Sequence, residues 1–173
     1  MYSYEQAGPV RRLIRRMAGT RPMGWFYART LHHIDRLVYR LTGGRVTFSA
    51  WLSGLPVVML TTTGAKSGQV RTLPVVGIPD GDDVVVIASN YGQRRNPSWY
   101  HNLRANPDTT IQVGSERRAV HARVATHAER TRLWPKVVEL YGGYRDYQER
   151  TEREIPLVIL EPAVAHGPDG SAR

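Results

Sequence analysis

The stretch Val57-Val58-Met59-Leu60-Thr61-Thr62-Thr63-Gly64-Ala65-Lys66-Ser67-Gly68-Gln69-Val70-Arg71-Thr72-Leu73-Pro74-Val75-Val76 holds two apolar runs around a short polar loop. Apolar runs of strand length flanking a Gly-containing loop predict two strands joined by a tight turn. The loop carries two glycines, hydroxyls, Lys66 and Arg71. Backbone N–H groups at such a turn can form an anion-binding concavity, and the cations add charge. The loop is therefore a candidate site for phosphate or carboxylate, although similar clusters are common as solvated hairpin tips. It is not a P-loop. That motif places Gly directly before the Lys, where Ala65 stands here, and it opens a helix rather than a second strand.

Working outward, residues 45–52, 56–63 and 70–78 read as strands. The turn Asp80-Gly81-Asp82 leads into Val84-Val85-Val86-Ile87-Ala88-Ser89, an unbroken apolar run expected of a strand buried on both faces. Asn96-Pro97 reads as an N-cap followed by Pro at the first helical position, starting a helix that ends near Ala105. Residues 109–113 and 118–125 pair across Gly114-Ser115. Thr126-His127-Ala128-Glu129 fits a capping box, opening a helix that Pro135 can kink. Residues 144–151 are a further helical piece, and residues 155–160 a last strand. Before the strands, residues 9–18 read as a short basic helix and residues 23–41 as a second one ending at Gly43-Gly44. His32 and His33 are adjacent, so on a helix they diverge and cannot chelate one metal together. Residues 163–173 read as a disordered tail. Strands joined mainly by short turns predict an α+β domain, an antiparallel sheet or barrel with helices around it.

At 173 residues and 41% hydrophobic content the chain is expected to form one globular domain. No apolar run is long enough to cross a bilayer and no secretory leader is evident, so the cytoplasm is the expected compartment. There are no cysteines, which removes disulfides, thiolate metal sites and thiol catalysis. The net charge is +9, from 24 Lys and Arg against 15 Asp and Glu. Such an excess attracts polyanions, anionic lipid surfaces or acidic small molecules. It rests almost entirely on Arg, which suits carboxylate and phosphate recognition and equally fits compositional bias. The basic segment 9–18 reads first as a helix packing its apolar stripe on the domain, and second as a candidate contact to the inner face of a membrane.

Three further segments could carry chemistry. Ala88-Ser89-Asn90-Tyr91-Gly92 ends the apolar strand in small residues that leave room for a flat ligand. The helix start at Asn96-Pro97-Ser98-Trp99-Tyr100-His101-Asn102-Leu103 offers unpaired N–H groups and an aromatic ring. Tyr141, Tyr144 and Tyr147 fall on one side of a helix if Gly142-Gly143 does not break it, and phenols suit a polar aromatic substrate. No nucleophile elbow, zincin motif or metal-spaced His/Asp/Glu cluster is present. A cofactor enzyme is therefore easier to argue than an acid–base one, because the cofactor brings the chemistry.

Taken in order, the loop from Leu60 to Arg71, then Ala88-Ser89, then Asn96-Pro97-Ser98-Trp99-Tyr100-His101-Asn102-Leu103-Arg104-Ala105-Asn106-Pro107, then Trp134-Pro135, the tyrosines and Ile155-Pro156-Leu157-Val158-Ile159-Leu160-Glu161-Pro162 resemble the deazaflavin-dependent nitroreductase family, also called F-420-dependent quinone reductases. The resemblance spans about residues 50–162. It implies a split β-barrel of the FMN-binding kind, with an antiparallel sheet of about six strands at 45–162 preceded by helices at 1–44 in a lid or membrane role. It implies that Ala65, Lys66, Ser67, Gln69 and Arg71 grip the phosphate and oligoglutamate tail of reduced coenzyme F-420. Thr72, Leu73, Pro74, Val75 and Val76, with Ile87, Ala88, Ser89 and Asn90, would line the deazaflavin and its ribityl chain. Ser98, Trp99, Tyr100, His101 and Asn102 would close the site from the helix, and Tyr144 would touch the coenzyme. Val76, Ser89, Tyr141, Tyr144 and Tyr147 would border the substrate, with Ser89, Tyr141 and Tyr144 as candidate proton donors and no metal involved.

The implied reaction is hydride transfer from C5 of the reduced deazaflavin to an electron-poor acceptor. Family nitroreductases often carry Arg at the position of Ala65, Tyr at Val76 and Lys at Asn90. Loss of that tyrosine enlarges the substrate site and favours quinones or conjugated enones over nitroimidazoles. Two other readings compete: an FMN oxidoreductase on the same barrel, and a basic module binding anionic membrane or nucleic acid in a salt-sensitive way. The arginines are dispersed and no nucleic-acid-binding signature is present, which disfavours the last. The oligomeric state is not legible.

Overall fold

The computed structural model describes residues 55–163. The expected helices 9–18 and 23–41, the strand 45–52, the paired histidines and all but the first residue of the tail lie outside the described residues. Ala163 itself is tied down, its N–H donating to the Ala119 carbonyl at 3.0 Å.

Six strands form a closed antiparallel barrel: β1 (Val57–Thr63), β2 (Val70–Asp80), β3 (Asp83–Ile87), β4 (Asp108–Val113), β5 (Glu116–Val124) and β6 (Leu157–Pro162), in the ring order β1-β2-β3-β6-β5-β4. β1 closes the ring against β4, Leu60 lying opposite Ile111. Among the described residues three helices lie around it: α1 (Ser98–Ala105), α2 (His127–Leu140) and α3 (Gly143–Glu149).

Side-chain alternation divides the apolar residues between two cores. The first fills the barrel with Val58, Leu60, Val84, Val86, Ile111, Val120, Val158 and Leu160, and α1 closes it with Trp99, Tyr100 and Leu103. The second lies outside the wall. There Val85, Ile87, Leu157 and Ile159 meet Leu133 and Val137 of α2 and the three tyrosines. β3 and β6 are thus covered on both faces, which is why their sequences lack polar alternation.

Four local expectations are corrected. The N-cap of α1 is Pro97 (φ −64°, ψ 153°) rather than Asn96, and no side chain caps it. The Gly142-Gly143 pair does break the tyrosine helix: Tyr141 is the extended C-cap of α2, and α3 begins at Gly143. β6 starts at Leu157, two residues later than expected, because Ile155 donates its N–H to the Gln148 side chain instead of to a strand. β3 ends at Ile87, and residues Asn90–Gly92 form a 3-10 turn. The capping box is present: Thr126 accepts from the Glu129 N–H at 3.3 Å and donates its own N–H to the Glu129 carboxylate at 2.7 Å. α2 runs through Pro135 as one helix.

Candidate functional site

β2 and β3 pair only from Asp80 opposite Asp83 up to Gly77 opposite Val86. Beyond that point β2 keeps a single neighbour among the described residues, β1, which it follows from Val76 to Val70. β3 stays beside β6 instead, the Ala88 N–H donating to the Pro156 carbonyl at 2.9 Å. A gap therefore opens in the wall. Residues 72–76 form one lip and residues 87–90 the other. In an antiparallel strand alternate N–H and C=O groups point to opposite neighbours, so the first lip presents polar backbone groups where no described strand lies beside it. Pro74 fits here, since a stretch with one neighbour tolerates a missing N–H.

The side chains of these lips divide. Leu73 and Val75 pack toward the barrel interior, while Val76 joins the outer core. Ile87 and Ala88 are buried, one in each core. Ser89 and Asn90 remain partly accessible. Thr72 is exposed, its hydroxyl 3.0 Å from that of Thr61.

β1 and β3 are both antiparallel to β2, so the loop after β1 and the segment after β3 lie at the same end of the barrel. α1 holds that end together through one side chain. Asn102 accepts from the Ala65 N–H at 3.1 Å and donates to the buried Thr62 hydroxyl at 3.1 Å. Asn106 adds a bond to the Thr63 carbonyl at 3.3 Å. Within the loop the Gly64 N–H donates to Gln69 and the Gly68 N–H to Gly64. Gly68 has φ +65°, the conformation that glycine adopts without strain. Much of the expected N–H concavity is therefore used internally, and the loop's attraction for an anion rests mainly on Lys66 and Arg71. Arg71 donates to the Gln69 side chain at 3.2 Å, and both loop residues are exposed.

The lip after β3 is conformationally strained. Asn90 (φ 46°) and Tyr91 (φ 55°) are non-glycine residues in the left-handed region, each at a cost on the order of 1 kcal/mol or more. Gly92 follows at φ +74°, and a Cβ there would stand 2.7 Å from the Tyr147 carbonyl. The turn is thus pressed against α3. Asn90 donates to the Arg95 carbonyl at 2.8 Å. No hydrogen bond engages the Ser89 hydroxyl among the described residues.

The tyrosines form one cluster despite the helix break. Ring centroids lie 5.3 Å apart for Tyr141–Tyr144 and 6.1 Å for both Tyr141–Tyr147 and Tyr144–Tyr147, all edge-on. Tyr91 joins at 6.0 Å from Tyr147. The Tyr141 and Tyr147 hydroxyls are 3.3 Å apart. The Tyr141 ring folds over Gly143, where a Cβ would lie 2.3 Å from it. Burial pushes the Tyr144 and Tyr147 phenols well above their ordinary pKa, and neighbouring tyrosines push in the same direction. Both therefore stay protonated.

Charge sets this end of the barrel apart. Residues 55–79 and 84–107 contain no Asp or Glu, yet carry Lys66, Arg71, Arg94, Arg95 and Arg104. None of the five forms an ion pair among the described residues. Arg94, Arg95 and Arg104 were not anticipated as site residues, although the acid-free stretch that marks them is visible in the sequence. No three His, Asp or Glu side chains gather to hold a metal among the described residues. Two buried polar atoms there lack partners, Asn96 Oδ1 and Arg153 Nη1. An open strand edge for a flat polar ring and unpaired cations for an acidic tail are the features a deazaflavin coenzyme with an anionic chain requires. The residues present fit that group.

Of the residues expected from sequence, the structure brings the loop 65–71 and Asn102 into contact, and sets 72–76 opposite 87–90. It gathers Val76, Tyr141, Tyr144 and Tyr147 in one core. Trp99 and Tyr100 are turned into the barrel, while Ser98 and His101 are exposed on α1.

Comparison with known proteins agrees with the barrel fold. Residues 31–162 match the family model described as F420H(2)-dependent quinone reductase. An F420H(2)-dependent quinone reductase of Mycobacterium tuberculosis is 44% identical over 127 residues, covering 71% of this chain and 84% of that protein. Among solved structures, an F420-H2 dependent reductase (FDR-A) is 39% identical with a TM-score of 0.57, covering 61% of this chain and 94% of its own. Another, described as a domain-swapped dimer, is 33% identical with a TM-score of 0.59, covering 81% of this chain and 99% of its own.

Proposed function

The chain belongs to the F420H(2)-dependent quinone reductase family, so its reaction is hydride transfer from reduced F-420 to a quinone, and we propose that the coenzyme lies in the gap between β2 and β3. The observation that carries this placement is the parting of those strands at Gly77 and Val86 beside five cations that lack acidic partners among the described residues. When bound, the reduced deazaflavin supplies a hydride at C5 of its ring.

The chain's own residues do the rest. Lys66 and Arg71 hold the phosphate and glutamate tail, with Arg94, Arg95 and Arg104 adding field at the same end. The free backbone edge of 72–76 and the Ser89-Asn90 lip orient the ring. Asn102 fixes the loop to α1 so that tail and ring sites keep their spacing. Such positioning sets the near-attack geometry on which the rate depends. The tyrosine cluster and Val76 border the acceptor. The tyrosines serve as neutral hydrogen-bond donors, and Ser89 is the candidate group for proton delivery. Val76, smaller than a tyrosine, favours quinones or conjugated enones over nitroimidazoles.

No described helix is long and apolar enough to cross a membrane. We place the reaction in the cytoplasm, with the basic segment 9–18 as the candidate contact to the inner membrane face.

Fluorescence titration with F-420 and with FMN, followed by anaerobic oxidation of reduced F-420 by menadione, tests the proposal. F-420 is expected to bind and to be oxidised only when the quinone is present. Tight FMN binding with none of F-420 would overturn it.

A further inference from the structure

We propose that Arg153 is the positioning residue that keeps the coenzyme gap open; the inference rests on the function proposed above. Arg153 lies in the link between α3 and β6. Its Nε donates to the Gln93 carbonyl at 2.9 Å, and its Nη2 donates to the Ser89 carbonyl at 2.7 Å and the Ala88 carbonyl at 3.3 Å. All three acceptors belong to the lip that leaves β3. The remaining nitrogen, Nη1, is buried without a partner among the described residues. No carboxylate pairs with this guanidinium among the described residues, unlike Arg123, Arg130 and Arg132.

Two conformations compete for residues 88–93. In one, β3 continues its ladder onto Val76 and Val75, which would seal the barrel wall. In the other the chain turns through Asn90 and Tyr91 in a strained conformation. The Ser89 carbonyl, which in a continued strand would face β2, is bonded to Arg153 and is not available to a ladder, while Ala88, whose N–H bonds Pro156, faces β6. Arg153 therefore favours the open form, and its planar fork can bind several carbonyls at once where a lysine presents a single nitrogen. Through the Ser89 carbonyl it also fixes the backbone of the residue proposed for proton delivery.

The test compares wild type, Arg153→Lys, Arg153→Ala and Lys66→Ala in the full chain. The probes are F-420 and its tail-less form, the deazaflavin with ribityl chain but no phosphate. Arg153→Ala is expected to weaken both ligands more than tenfold, with Arg153→Lys recovering part of the loss. Lys66→Ala should weaken only the tailed form. In the free protein, amides within 88–93 should exchange more slowly in Arg153→Ala, as the ladder toward β2 forms, while those of β1, β4 and β5 keep their protection. Arg153→Lys provides the reading if the alanine variant does not fold. Two outcomes overturn the inference: wild-type affinity for the tail-less form in both variants, or a loss that follows a general fall in Tm with exchange raised across all strands. A wild-type protein that binds neither ligand overturns the proposed function, and the inference with it.

Discussion

The flank of α2 and the end of the barrel closed by α1 draw on the same arginine-rich sequence and treat charge in opposite ways. Along α2 the cations are matched. Arg123 binds Glu129 at 2.7 Å and Glu161 at 2.7 Å, Arg130 meets Glu154 at 3.0 Å, and Asp80 takes Arg132 at 2.6 Å and Lys136 at 3.2 Å. At the α1 end, Lys66, Arg71, Arg94, Arg95 and Arg104 have no acid beside them in the chain or paired to them in the described fold. Matched charges hold elements in place and leave little field outside. Unmatched charges of one sign raise the local concentration of an anion and steer it inward. The net charge of +9 is therefore less informative than its distribution.

Breaking the contrast should have its largest effect on ligand binding. Lys66→Ala with Arg71→Ala is expected to weaken F-420 binding by more than tenfold, since charge-assisted bonds contribute about 1.5–3 kcal/mol each. Arg132→Ala with Lys136→Ala should leave that affinity within about twofold, because a local pair is removed far from the proposed site. Fluorescence titration of both pairs at two salt concentrations checks this.

Gly92→Ala should lower stability by about 2 kcal/mol, as both its φ of +74° and the Tyr147 carbonyl 2.7 Å away oppose a Cβ. Chemical denaturation measures it. Asn102→Ala removes the link from α1 to the loop and leaves the Thr62 hydroxyl buried without that donor. A loss of about 1–2 kcal/mol is expected, with F-420 affinity falling several-fold by titration.

On the paired side the signature is a pH limb. Arg123 first, then the Thr126 N–H and hydroxyl, hold the Glu129 pKa down to about 2 from 4.5. A depressed carboxylate stabilises the fold fully above its unfolded value and ceases to as pH falls through its folded value. Stability should therefore drop between about pH 4.5 and 2, by on the order of 1 kcal/mol after solvent screening. Glu129→Gln should flatten that limb in acid denaturation curves and leave F-420 binding at neutral pH unchanged.

Where a residue's role is local, the sequence was a good guide. The strands around 57–63 and 70–80 follow from apolar runs bounded by glycine, and the Thr126 capping box follows from residue types three apart. The double burial of β3 was legible in its unbroken apolar run. Roles set by tertiary contact were harder to read. Asn96 looks like a cap, yet Pro97 has the extended backbone at the cap position and Asn96 Oδ1 is buried. Spacing of three puts the tyrosines along one side of a helix only if Gly142-Gly143 leaves it unbroken; the pair breaks it, and two separate elements bring the rings together. The gap between β2 and β3 depends on where a ladder stops, which no residue type announces. Arg153 acts on backbone carbonyls, and those leave no mark in the sequence.

The most direct test is a crystal structure of the full chain with F-420 bound. The coenzyme's phosphate and glutamates should lie against Lys66, Arg71 and the N-terminal half of α1, with the ring between residues 72–76 and 87–90. A tail lying along α2 beside Arg123 and Arg132, with the 64–69 loop facing bulk solvent, would contradict the account.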